Sequence, residues 1–339
     1  MNQTKEEPKL EDLPNPGALI DTRPEAEKAK DYRFSEIVSA VEPVEWTEKP
    51  QSEWRKFPIF NQNGSGSCVA QTLRKQYGVY LWLNTGVWVD LSASHIYQRR
   101  ANRPAAGMGG TDAFEIAQKG TTLEQFAPSE NMTDVQMDSV SVVPFMEKIG
   151  ETFKLGAYVT VSPTDIDTVA SIIQRTGKAV MVWFYFTYPE WTDTPTVLDP
   201  ALNLYAQSTL KHSVAAVDFA LVNGKKCLII DDSWGLAYAM NGQRVITEDF
   251  FNARNFFAAH FQNFAFEEAA VLRPRYDGSV SSLQDCLKFE GVFPSNVEST
   301  GFFGTITTKA VKAFQAKYGI EQVGFVGPKT RAKLLELYS

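Results

Sequence analysis

Three cysteines and three histidines are all that 339 residues contain, which leaves little material for a disulfide framework or a metal centre. Cys68, Cys227 and Cys286 lie far apart in segments of different character, so no cystine pairing is implied, a pattern permissive for the cytosol. None of His95, His212 and His260 stands at ligand spacing from a cysteine or a carboxylate, and neither a metal nor a cofactor is expected. No stretch of about 18 apolar residues occurs, so no membrane-spanning helix is expected. Residues 1–8 lack the basic start and apolar run of a secretory signal, and synthesis in the cytoplasm without an export signal is the expectation. A basic patch interleaved with aromatics is missing too, and with a net charge of −7 a nucleic-acid partner is not expected.

What is present is apolar substance: 44% of the residues are hydrophobic, enough for a large core, and the length predicts two domains. Within it, Asn61-Gln62-Asn63-Gly64-Ser65-Gly66-Ser67-Cys68 stands out. Val69, Leu73, Tyr77, Tyr80 and Leu81 recur at steps of three and four, which predicts an amphipathic helix with one buried face and Cys68 in its first turn. Unpaired N–H groups there carry partial positive charge and favour a thiolate, the reacting form of cysteine. The preceding glycines allow a tight turn and bring backbone N–H groups close to a bound carbonyl, which makes Gly66 and Ser67 candidate substrate contacts. A lone cysteine is more often a small core residue, and a nucleophile needs a base.

Of the histidines, His95 sits in a polar, arginine-rich stretch and His260 in a Phe-rich one that reads as core. His212 opens an apolar, small-residue run to Phe219 that is predicted as a buried strand, and Cys227-Leu228-Ile229-Ile230 as a second. The second runs into Asp231-Asp232-Ser233-Trp234-Gly235, so a hairpin would set a carboxylate beside His212. Strand alternation sends Asp231 and Asp232 to opposite faces, and only one of them can be that carboxylate.

Gln62 to Cys68, His212 in its strand and Asp232-Ser233-Trp234-Gly235 together resemble the papain family of cysteine peptidases. In that family the histidine follows the cysteine by about 130–150 residues; here the separation is 144. Leu91-Ser92, Gly107-Met108-Gly109-Gly110 and Asn241-Gly242 extend the likeness, which runs from about residue 45 to 270. The resemblance implies that Cys68 is the nucleophile, that His212 moves its proton and that Asp232, in register with the Ser-Trp-Gly motif, orients the imidazole. By the same likeness Gln62 and the Cys68 N–H would hold the oxyanion, Trp234 would shield the histidine contact, and Gly109 and Gly110 would hold substrate backbone. There are three departures from the pattern, at four positions. Asp232 replaces an asparagine, which should raise the His212 pKa; Val69 replaces an aromatic residue; Ser65 and Met108 replace a disulfide pair.

Residues 1–44 read as a flexible acidic arm, with eight acidic against five basic side chains up to residue 31, or as a short pro-segment over the cleft. The peptidase-like domain takes residues 45–272, a linker 273–278, and residues 279–339 a further domain of three helices. The first of these starts near Ser279 with Val280, Leu283 and Leu287 on one face. The second has Thr305 as its cap, Ile306, Ala310, Phe314 and Tyr318 on one face, and Gly319 as its stop. The third opens at Gly327-Pro328 and buries Leu334 and Leu337. Phe302 and Phe303 read as core between helices. Thr300-Gly301-Phe302-Phe303-Gly304, Ala310-Val311-Lys312-Ala313-Phe314-Gln315 and Val326-Gly327-Pro328-Lys329-Thr330 resemble the peptidoglycan-binding domain-1 family. Residues 279–339 carry a net charge of +2 against −9 for the remainder, which suits an anionic wall only mildly.

The expected fold is thus α+β: a papain-like domain with a helical lobe and a β-sheet lobe, then a three-helix module. The expected function is peptide hydrolysis through a Cys68 acyl-enzyme, on a peptide or protein substrate, with peptidoglycan as partner of residues 279–339 and action at the bacterial cell wall. A phage-type wall hydrolase or virion component is the alternative, which would entail assembly into a phage particle, and an inactive papain-like wall-binding protein is a second.

Overall fold

A computed structural model describes residues 17–28, 31, 43–161, 165–192, 197–200, 210–261, 264–265 and 274–338. Helix α1 (Cys68–Thr85) ends at Gly86, whose φ of 70° is a left-handed value that glycine adopts without strain, its N–H closing on the Trp82 carbonyl at 2.8 Å. Val69, Leu73, Tyr77 and Leu81 are buried as the period predicts, and Tyr80 is half-buried. Yet Gln71, Arg74, Lys75 and Gln76, on the other faces, are buried as well. The amphipathic helix expected from the sequence is corrected to a central helix, enclosed because it lies between two lobes. Its cations tolerate enclosure because they are matched: Arg74 meets Asp90 at 2.8 Å and Glu130 at 3.1 Å and stacks 3.8 Å over Phe60, while Lys75 meets Asp231 at 2.8 Å.

On one side of α1 gather α2 (Ala93–Tyr97), α3 (Gly110–Lys119) and shorter helices around a core that includes Phe114, Phe126, Phe145 and Phe153. Two short strands, β1 (Ala18–Leu19) and β2 (Met108–Gly109), pair in parallel at the edge of this lobe. On the other side lies a sheet of β3 (Tyr158–Val161), β4 (Val180–Phe186), β5 (Val197–Leu198), β6 (Leu210–Val222), β7 (Lys225–Asp231), β8 (Gln243–Thr247) and β9 (Asn255–Phe261). Its spatial order is β3-β9-β4-β6-β7-β8-β5, antiparallel throughout except for β5 against β8. Helices α4 (Ile166–Thr176), α5 (Tyr188–Thr192) and α6 (Glu248–Arg254) join the sheet in a second core with Ile173, Val182, Phe184, Trp191 and Phe250.

The β6–β7 hairpin turns at Asn223-Gly224, both at positive φ (52° and 74°), the chemistry that a two-residue turn with the strands' own twist requires. Past a bulge at Val217, which shifts the register set by that turn by one residue between Ala216 and Asp218, Ala215 stands opposite Asp231, so the end of β7 comes level with His212 near the start of β6.

The C-terminal helices are α7 (Val280–Phe289), α8 (Thr305–Lys317) and α9 (Pro328–Tyr338), packed on Leu283, Leu287, Val311, Phe314 and Leu334, with Leu337 at the margin. Three expectations are corrected here. Gly304, not Thr305, is the cap of α8, and Ile306 is 46% exposed. Phe302 is 75% exposed while Phe303 packs inward. The cause is a side-chain clamp: Gln284 donates to the Phe302 carbonyl and to Thr307 Oγ1 (2.9 Å each) and accepts from Gly301 N–H at 3.0 Å, which turns that carbonyl in and the ring out. Gln315 repeats the clamp on Phe325, Thr330 and Gly324, all at 2.9 Å, so the Gly-x-x-Thr turns are one motif used twice.

Candidate active site

The turn before Cys68 is sewn across the two lobes. Gln62 N–H donates to the Ser233 carbonyl (2.8 Å), Gly235 N–H to the Phe60 carbonyl (3.0 Å), and Ser233 Oγ to Gln62 Oε1 (2.6 Å). The Gln62 amide nitrogen gives one of its two protons to the Ser65 carbonyl at 2.7 Å. Ser65 and Ser67 share a hydroxyl bond of 2.7 Å, and Ser65 also donates to the Gln62 carbonyl at 2.6 Å. Ser67 takes the N-cap position of α1 without a side-chain cap, which leaves the first-turn N–H groups around Cys68 without a capping side chain. Gly66 admits no side chain, since a Cβ there would stand 2.7 Å from Gly107 N.

His212 is brought to this turn by β6. Its Nε2 pairs with Asp232 Oδ1 at 2.8 Å, and its Nδ1 is buried with no hydrogen-bond partner among the described residues, on a ring that lies against Cys68. Strand alternation separates the two candidate aspartates: Asp231 turns away to Lys75 (2.8 Å) and Gln243 (2.9 Å). Trp234 is 1% exposed with its ring 5.5 Å from the imidazole, and Phe184, Phe186 and Trp191 complete an aromatic surround at 5.9–6.1 Å. Burial alone would lower the His212 pKa; the Asp232 charge and hydrogen bond, then the Cys68 contact, overcome it and raise it to about 9. Burial would raise Asp232, but the charges of His212 and Arg244 hold its carboxyl well below the usual range.

Two residues of the site were invisible in the sequence. Trp191 Nε1 and Arg244 Nε both donate to Asp232 Oδ2, at 2.9 and 2.8 Å, and Ser233 N–H donates to Oδ1 at 2.7 Å. A charged residue inside the otherwise core-like strand Gln243–Thr247 is the one trace the sequence offers of Arg244. His95 and His260 are buried elsewhere, on α2 and β9, and take no part.

Of the candidate substrate glycines, Gly109 ends β2 and Gly110 begins α3 against Trp183. The backbone of β2 is paired with β1. Gly17 accepts from Met108 N–H at 2.6 Å, Ala18 and Leu19 pair with Met108 and Gly109, and Ala18 is 3% exposed. Gly17 lies so close to Gly66 that a Cβ on it would stand 1.7 Å from the Gly66 carbonyl oxygen. Further on, Arg23 pairs with Asp31 at 2.6 Å, and Asp31 accepts from Tyr158 Oη at 3.1 Å. Cys68 and His212 are wholly buried. Residues 1–16, 29–30 and 32–42 of the arm lie outside the described residues.

Because the folded His212 pKa lies above its ordinary 6.5, the pair's stabilisation is complete below about pH 6.5 and is lost as pH rises through about 9. Thermal melts from pH 7 to pH 10 should therefore fall more steeply, by roughly a few degrees, for the wild type than for His212→Gln. Parallel curves for the two proteins would refute that linkage.

Solved structures similar to this chain include xylellain, a cysteine protease from Xylella fastidiosa, with a TM-score of 0.58 and 17% identity over 75% of this chain and 98% of that one. The cysteine protease and lectin-like domains of a surface layer associated protein of Clostridium difficile give 0.52 and 16% over 68% and 55%. Digestive procathepsin L 3 of Tenebrio molitor gives 0.50 and 18% over 65% and 75%. These likenesses make the fold papain-like, α+β, with a helical and a sheet lobe. Residues 276–334 match the family described as "Putative peptidoglycan binding domain". No curated protein matches the chain by sequence.

Proposed function

We propose that this chain is a cysteine peptidase, held latent by its own N-terminal segment and tethered to bacterial cell wall by residues 279–339. The observation that carries it is the His212–Asp232 bond of 2.8 Å on a buried ring whose other nitrogen has no other hydrogen-bond partner among the described residues and which lies against Cys68 at the start of α1. With Nε2–H committed to Asp232, Nδ1 takes the Cys68 proton as sulfur attacks the peptide carbonyl carbon. The oxyanion forms against the Cys68 N–H and the Gln62 amide, which Ser233 orients. His212 then gives its proton to the leaving amine as the C–N bond breaks. Water, losing a proton to His212, releases the acid from the acyl-enzyme.

Gly66, Ser67, Gly109 and Gly110 would line the substrate backbone, at the edge where residues 17–19 now lie. The C-terminal family match supports the tether. Deleting residues 279–339 should abolish co-sedimentation with purified walls and change turnover of a casein-like protein by less than about twofold, because substrate and tether act at separate sites. A trimmed chain that still sediments would refute the tether. The same match also supports a phage-type wall hydrolase or virion component; turnover of purified peptidoglycan in place of casein would select it. Sedimentation with no turnover of either would select an inactive wall-binding protein.

A further inference from the structure

Arg244 is wholly buried on β8, and its guanidinium pairs with the Asp232 carboxylate at 2.8 Å. Its Nη1 donates to the Trp191 carbonyl at 2.6 Å and its plane lies 4.5 Å over the Trp191 ring, while Nη2 has no hydrogen-bond partner among the described residues. Asp232 in turn accepts four hydrogen bonds, from His212 Nε2, Ser233 N, Trp191 Nε1 and Arg244 Nε. A carboxylate has about four acceptor positions, so every one is in use. An amide has one acceptor oxygen and an NH2 group. An asparagine at 232 that kept its oxygen toward His212 would point N–H groups at two fixed donors and leave a buried guanidinium without its counter-charge.

We propose that Asp232 and Arg244 act as one unit that stands in for a neutral amide, with Arg244 a positioning residue that acts on His212 through Asp232. The inference rests on the cysteine-peptidase reading. The carboxylate alone would hold the imidazolium too firmly for it to release a proton to the leaving amine; the guanidinium behind it offsets that charge. Among the described residues, the titratable or charged groups facing the ring are Cys68 from α1, Asp232 after β7 and, behind it, Arg244 from β8, and the rings of Phe184, Phe186, Trp191 and Trp234 lie around it.

The test is the His212 titration, followed by NMR of the imidazole in full-length protein, for wild type, Arg244→Gln, Asp232→Asn, the double variant and Arg244→Lys. Alkylation of Cys68 by iodoacetamide across pH is measured alongside. Arg244→Gln should move the midpoint up by about one pH unit, a tenfold change in the equilibrium, and Asp232→Asn should move it down. The double variant should return close to wild type, and Arg244→Lys should stay there. A double variant that titrates like Asp232→Asn, or an Arg244→Gln midpoint equal to wild type, overturns the coupling. If Arg244→Gln fails to fold, a shifted Arg244→Lys midpoint overturns it equally. Turnover that survives Cys68→Ala would instead overturn the peptidase reading itself, so the two failures are distinct.

Discussion

Replacing Cys68 with alanine removes peptide turnover by the full chain, a loss on the order of 10^4-fold or more, and removes covalent labelling by thiol-directed peptidase inhibitors. Replacing His212 with alanine produces a loss of the same size, and the double variant is hardly worse than either single one. The non-additivity is the informative part. Cys68 and His212 form one proton-exchanging unit, buried together, with Nδ1 of the ring aimed at no other group among the described residues. Once either member is gone the other has nothing to do, so the second deletion costs little. The residual rate would come from the Cys68 N–H and Gln62, which still meet a developing oxyanion. Turnover kinetics on a casein-like substrate, with intact-mass detection of the labelled protein, measure both quantities. Equal rates for wild type and Cys68→Ala would remove the cysteine mechanism, and additive losses would remove the unit.

What could be read in the sequence was the part of the site that depends on local pattern. The period after Cys68 placed it at a helix start, the β6–β7 hairpin signal placed a carboxylate beside His212, and the Ser-Trp-Gly motif of the family resemblance singled out Asp232. Trp191 and Arg244 escaped because each reaches Asp232 from a separate element, and their meeting depends on packing rather than spacing. The same reason explains the misjudged helix. Arg74 and Lys75 mark a solvent face by composition, yet Asp90, Glu130 and Asp231 come from distant segments to neutralise them inside. In the C-terminal module the Gly327-Pro328 start of the last helix was legible. Which of Phe302 and Phe303 faces out was decided by Gln284, 18 residues away from the Phe302 carbonyl it holds.

Substituting Gly17 with valine should raise the rate of peptide turnover by roughly 100-fold without removing a residue. In the closed form the Gly17 position admits no side chain, because its Cβ would fall 1.7 Å from the Gly66 carbonyl oxygen, a backbone atom that cannot step aside. Valine therefore opposes only the state in which residues 17–19 lie on β2, and the population moves to the state with the cleft free. The size follows from the tether. A short strand joined to the same chain acts at an effective concentration in the millimolar range, and closure favoured by about 3 kcal/mol leaves about 1% of molecules open. Release of that constraint yields the hundredfold. Deletion of residues 1–28 should give a similar rise, with the added loss of the Arg23–Asp21 and Arg23–Asp31 contacts. The two variants check each other: Gly17→Val keeps those anchors, so a deletion that merely destabilises the helical lobe is told apart from one that frees the cleft. The reading also requires that Cys68, wholly buried in the closed chain, react faster with a small alkylating reagent in Gly17→Val than in wild type. Unchanged turnover and unchanged alkylation in that variant would mean that the strand over Gly109 does not gate the site, and that substrate reaches Cys68 by another path.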